Sequence, residues 1–314
     1  MSKKIISLAA GMAMIGGVAM SDTPKVAADI SPVHSLVSRV MLGVGTPDLI
    51  VQAGASPHGY TLRPSEAKAL QDAQMVFWMG ESLSPWMEGA LDTLSSDATI
   101  ITLLERDETI LMEFREGALF EEHDHDDHGD EKHDDHGDHE DHGSHDPHAW
   151  LSPDNARIWL NLIASQLSIV DPENAGTYFA NAAAARSEIE ALKTEVNSLL
   201  EPVRGKKFIV FHDAYQYFEK AFDLSASGAI SLGDASKPSP ARIAEIQGRI
   251  QEESIDCVLS EPQLNKGLVA TVMAGSKAKT SVIDPLGVGL KPGPDLYSEL
   301  IRNMTKTLVD CFES

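Results

Sequence analysis

Apolar residues recur along this chain in two rhythms. Short, mainly apolar runs at 26–30, 49–51, 75–79 and 98–103 read as buried strands. Between them, 34–42, 64–73 and 85–94 read as helices, the second opened by Pro64 in the favoured first helical position. Strand and helix in alternation predict a mainly parallel sheet with helices on both faces.

A longer period begins at residue 152. Ser152-Pro153 caps a helix running to about 170, and Asp171-Pro172 caps a second one. Its small or apolar positions are Ala175, Tyr178, Ala182, Ala185, Ile189, Leu192, Val196 and Leu199, an unbroken three-four spacing. About 28 residues of helix span roughly 42 Å. The same stripe would suit a coiled-coil dimer, but its first half is mostly alanine and its flanking charges are sparse. An intramolecular strut is therefore expected. Strands at 208–211, 224–230, 256–260 and 280–283 then alternate with helices at 214–222, 240–253, 266–274 and 295–312. The expected fold is α/β, with two lobes of mainly parallel sheet flanked by helices and joined by one long linking helix. The lobes fall at 22–170 and 202–314, with the linker at 171–201.

Two segments depart from these rhythms. Residues 1–21 carry Lys3 and Lys4, an apolar small-residue run to Met20, and a small-x-small site at Ala19-Met20-Ser21. That layout predicts a signal peptide, and hence an exported protein without a membrane anchor. The other is 121–146, with thirteen carboxylates, one lysine and eight histidines: His123, His125, His128, His133, His136, His139, His142 and His145. Having no aliphatic or aromatic residue to bury, it is expected to be a disordered surface loop. Acidic residues alone would serve solubility, so the interspersed imidazoles read as an accessory, low-affinity metal collector. The segment carries about half of the formal net charge of −23, which argues against nucleic acid or an anionic membrane as partner. Cys257 and Cys311 form an even pair. In an oxidising compartment they are a candidate disulfide, with two buried free thiols as the alternative.

Outside the loop only His34, His58, His148 and His212 remain. His212 ends the apolar run 208–211, and His58 lies in the loop after 49–51. Both positions fall beyond the carboxyl ends of strands, where open α/β sheets bind ligands. His148 sits in a turn just before a helix, and Asp284 follows the run 281–283. Three imidazoles and a carboxylate make a four-coordinate set suited to zinc. Glu261, after 257–260, is the reserve carboxylate. His34, near a helix start, reads as structural. The Asp213 side chain is expected to point away from that of His212.

The segments PHGYTLRPSEAKALQDA, DPHAWLSPDNA, FHDAYQYF, SEPQLN and DPLG occur in this order around those residues. Together with the histidine-rich insert they resemble the periplasmic zinc-binding component of the bacterial high-affinity ABC zinc importer, over essentially the whole chain beyond the leader. The resemblance implies two α/β lobes bridged by a long helix, His58, His148 and His212 as zinc ligands, and a Cys257–Cys311 disulfide. Manganese-binding relatives typically carry glutamate at the position of His212. Some zinc members place glutamate where this chain has Pro57, so the implied fourth ligand is Asp284 or water.

The expected function is capture of Zn2+ in an interlobe cleft and delivery to an ABC permease, by a periplasmic monomer that is not an enzyme. Affinity should fall as histidines protonate below about pH 6. A manganese or iron carrier and a zinc hydrolase are the alternatives. The latter is disfavoured because no HExxH helix and no evident general base accompany the ligands.

Overall fold

The computed structural model describes residues 23–115, 120, 145–231, 238–263 and 266–313. The expected leader lies outside them, as do His123, His125, His128, His133, His136, His139 and His142.

Among the described residues, eight strands form two parallel sheets with the same internal order. The first runs β2-β1-β3-β4, from β1 (Val26–Ala28), β2 (Asp48–Leu49), β3 (Met75–Trp78) and β4 (Thr99–Thr102). The second runs β6-β5-β7-β8, from β5 (Phe208–His212), β6 (Ala229–Ser231), β7 (Cys257–Ser260) and β8 (Lys279–Val282). The inner strands β3 and β5 are buried at every residue because helices cover both faces, which is why they read as continuous apolar runs. In β5 the residues alternate between two cores: Phe208 and Val210 join the large one, Ile209 and Phe211 the smaller.

Helices α1 (Ser31–Val40), α2 (Pro64–Asp72) and α3 (Pro85–Leu94) flank the first sheet, while α4 (Pro153–Val170) leads into α5 (Ala175–Leu200). Helix α5 buries Tyr178, Ala182, Ala185, Ile189, Leu192, Val196 and Leu200. It packs against α1, α4 and α9 (Leu296–Glu313) and carries one continuous core past both sheets. Ion pairs Arg39–Glu188 and Arg302–Glu195 tether it to helices of either lobe. The second sheet is completed by α6 (Gln216–Phe222), α7 (Pro240–Glu252) and α8 (Lys266–Val272). Cys257 at the start of β7 is disulfide-bonded to Cys311 in the last turn of α9, and both are buried. No helix among the described residues is long and apolar enough to cross a membrane.

The structure corrects three local expectations. Leu199 is exposed and Leu200 buried, because the helical period of 3.6 carries the stripe four residues on from Val196 rather than three. The strand expected at 224–230 is only Ala229–Ser231. Helix α6 stops at Asp223, in the left-handed conformation, and the following chain wraps Glu219, whose Oε2 accepts the Ala226 N–H at 2.9 Å. At the end of the acidic segment, His145 and Asp146 are ordered. His145 forms a bridge with Glu113, and Asp146 is buried.

Candidate metal centre

His212 is the last residue of β5, the strand lying between β6 and β7, so it stands where the strand order reverses. Its Nδ1 lies 2.6 Å from Oε1 of Glu261, which follows the neighbouring strand β7, and both side chains are buried. Sheet register thus fixes both members of the pair.

His148 occupies the turn before α4. Asp146 Oδ1 accepts its backbone N–H at 2.9 Å and lies 2.6 Å from its Nδ1, so one carboxylate sets both the turn and the ring. The other oxygen, Oδ2, accepts from Gln216 Nε2 at 2.6 Å, and the Asp146 carbonyl accepts from the Tyr217 hydroxyl at 2.9 Å. Burial pushes the Asp146 carboxyl up, but the pairing with His148, its hydrogen bonds and Gln216 outweigh that and hold it below its ordinary range. Two residues past His148, Trp150 Nε1 donates to the Pro285 carbonyl at 2.9 Å, joining this turn to the one that contains Asp284.

His58 comes from the long loop between β2 and α2. The carbonyl of the preceding Pro57 accepts two hydrogen bonds, from Ser84 Oγ at 3.0 Å and Trp86 Nε1 at 2.7 Å. Tyr60, two residues on, packs its ring at 5.6 Å from that of Trp86 and donates to Glu66 Oε1 at 2.9 Å.

Each of these three histidines offers one ligand atom within 4.8 Å of the others. Ring centroids lie 5.1 Å apart for His148–His212, 5.5 Å for His58–His148 and 6.3 Å for His58–His212. Nε2 of His148 and Nε2 of His212 face each other at 3.3 Å. A tetrahedral zinc with Zn–N bonds of about 2.0–2.1 Å sets neighbouring nitrogens about 3.3–3.4 Å apart. Each Nδ1 is paired with a carboxylate and so carries the ring proton, which leaves a lone pair on each Nε2. Two lone pairs aimed into one gap repel until a cation, either a metal ion or a proton, enters between them. With Asp146 and Glu261 behind the rings, the chemistry of this gap favours a positive guest.

The remaining candidates fall elsewhere. Asp284 is not part of the three-histidine cluster. Its carboxylate accepts the backbone N–H groups of Leu286 at 3.0 Å, Gly287 at 2.9 Å and Val288 at 2.6 Å, capping its own turn. Glu261 orients His212 from behind. Burial, with Glu261 and Asp284 nearby, pushes the Tyr215 hydroxyl well above its ordinary value, so it stays un-ionised. Asp213 points away from His212 and pairs with Arg115, which also reaches Glu219. His34 in α1 is buried, with Nε2 3.0 Å from the Pro47 carbonyl, and burial lowers its pKa. Sequence reasoning missed Asp146, hidden at the end of an acidic run. The signal available was the Asp-x-His spacing, in which an aspartate caps the N–H two residues on.

Two like-ordered parallel sheets, tied by one helix and meeting at a cluster fit for one metal ion, define a two-lobed solute-binding protein. The chain belongs to the ZnuA family, "Zinc-uptake complex component A periplasmic", whose model matches residues 26–311. It is 47% identical over 303 residues, 91% of each chain, to the high-affinity zinc uptake system protein ZnuA of Brucella abortus. To the protein of the same name from Paracoccus denitrificans it is 46% identical over 318 residues, covering 97% of this chain and 96% of the other. Among solved structures, a crystal structure of ZnuA superposes with a TM-score of 0.73, covering 92% of this chain and 99% of that one. At 21% identity that likeness speaks to the fold alone.

Proposed function

We propose that this chain captures one Zn2+ between its lobes and delivers it to the membrane permease of an ABC importer. His148 and His212 bind through Nε2, and His58 is the third ligand. The observation that carries this reading is the 3.3 Å Nε2 pair, each ring held from behind by a buried carboxylate. Membership of a zinc-uptake family supports zinc as the cargo. A fourth position falls to water, or to Asp284 if it gives up three backbone hydrogen bonds.

In this reading the protein is exported through residues 1–21 and works in the periplasm as a monomer, with the clustered insert histidines as weak accessory sites. Helix α5 packs along both lobes and opposes wide hinge opening, so uptake and release proceed by rearrangement of the ligand loops. Metal replaces a proton in the Nε2 gap, so affinity falls as the medium becomes acidic. A hydrolytic role finds little support, because Glu261 and Asp146, the carboxylates nearest the rings, are engaged in orienting them.

The test is chelator competition on protein lacking residues 121–144, which spares the His145 bridge. Tight 1:1 zinc binding that disappears when His148 and His212 are both replaced by alanine is the expected result. Unchanged affinity in that double variant would overturn the assignment. Preference for manganese, or zinc-dependent hydrolysis of esters or peptides, would overturn the function.

A further inference from the structure

The three histidines are not held in the same way, and the difference singles out a residue in the first lobe. His58 stands in the middle of a long loop, where no strand or helix sets its place. The contacts described on either side of it converge on Trp86. Indole Nε1 donates to the Pro57 carbonyl at 2.7 Å, and the indole ring packs against Tyr60. Ser84, fully buried immediately before α3, donates a second hydrogen bond to the same carbonyl. A carbonyl has two lone pairs, so Pro57 is saturated by this one helix N-terminus. Trp86 packs on the core shared by both lobes and on the smaller core of the first lobe around Ile50, Leu70 and Trp78, which makes it a rigid post.

We infer that Trp86, with Ser84, is a positioning residue that brackets His58 and sets the affinity of the cleft through it. The inference rests on the reading of His58 as a zinc ligand. Nothing in it requires Trp86 to touch the metal. Loss of a group that orients a ligand typically weakens metal binding about 10–100-fold.

Trp86→Phe keeps the ring packing and deletes the N–H, while Ser84→Ala deletes the second donor and is the milder probe should the first variant fold poorly. Zinc affinity is measured by chelator competition, and the absorption spectrum is recorded with Co2+ as probe. Trp86→Phe is expected to weaken zinc about 10-fold, and the double variant up to about 100-fold. The Co2+ spectrum should move toward that of His58→Ala. In a His58→Ala background, Trp86→Phe should change zinc affinity less than about twofold, because the ligand it positions is gone. An equal loss in both backgrounds would mean that Trp86 supports the fold and not His58, and would overturn the inference. Wild-type affinity in the folded Trp86→Phe and Ser84→Ala variants would overturn it too. If His58→Ala itself binds zinc like wild type, the ligand reading fails, and that outcome is distinguishable from the others.

Discussion

In each sheet the first strand in sequence lies second in the order, and the chain reverses direction across the sheet from there. At the end of β1 stands Asp29, and at the end of β5 stands His212. Asp29 is spent inward: its two oxygens accept the N–H groups of Ile30 and Met79, both at 2.7 Å, stitching β1 to the end of β3. His212 is turned toward His148, Nε2 to Nε2 at 3.3 Å, and held by the carboxylate that follows β7. The first lobe therefore places an aspartate, not a histidine, at its switch point, and in the proposed site its candidate ligand His58 comes from a loop. A strand-end ligand inherits its position from the register of the sheet. A candidate ligand on a loop must be placed by side-chain contacts, among them those of Ser84 and Trp86 on the Pro57 carbonyl.

The sharpest way to break this contrast is to delete ligands one at a time. His212→Ala or His148→Ala should weaken zinc on the order of a thousandfold, and His58→Ala by less, on the order of a hundredfold. Chelator competition reads both. Equal losses for all three would mean that His58 on its loop is as well preorganised as the two histidines backed by buried carboxylates.

The disulfide belongs to the second lobe only. It closes a 54-residue separation, for which chain entropy gives about 4 kcal/mol. Replacing Cys257 and Cys311 with alanine should lower the midpoint of denaturant unfolding accordingly. Zinc stoichiometry should be retained where the protein is folded, because neither cysteine touches the site.

The carboxylates behind the rings come next. Glu261→Gln and Asp146→Asn should each weaken zinc about 10–100-fold, with the fold intact by circular dichroism. Asp146→Asn should cost more, since Asp146 also fixes the backbone turn at His148. The reverse order would place the burden on the sheet.

The effect with least bearing on zinc concerns Asp29. Burial pushes its carboxyl up to about 7 from 3.8, against the lowering influence of its backbone hydrogen bonds. A folded-state value above the unfolded one means that the folded chain binds the extra proton between about pH 4 and 7. Stability should therefore decline as pH rises through that window, with a slope of at most about 1.4 kcal/mol per pH unit from this group. Asp29→Asn should remove that slope in urea titrations at several pH values, while leaving the zinc site unchanged.

Much of this was legible because burial leaves periodic traces. The stripe on α5 and the runs at 75–79 and 208–211 gave helix and strands directly. His212 and His58 were legible as residues beyond strand ends. Contacts made across long separations left no local trace. The Ser84 and Trp86 donors lie 27 and 29 residues from Pro57, and Glu261 lies 49 from His212. The surroundings of Asp284 were hidden for a related reason. A carboxylate after a strand looks free to bind metal until three following backbone N–H groups claim it. The run 224–228 read as strand by composition, whereas the buried carboxylate of Glu219 organises part of it as a loop.

Helix α5 also decides how the molecule comes apart. Its buried side belongs to a single core that includes Phe77 under the first sheet and Phe208 under the second. Severing the chain within it would strip apolar surface from both halves at once, so neither half is a self-sufficient folding unit. The protein is two lobes in outline but one cooperative body in thermodynamic terms. Calorimetry should therefore record a single transition, in which zinc bound at the cleft raises the melting temperature of the far ends of both sheets together.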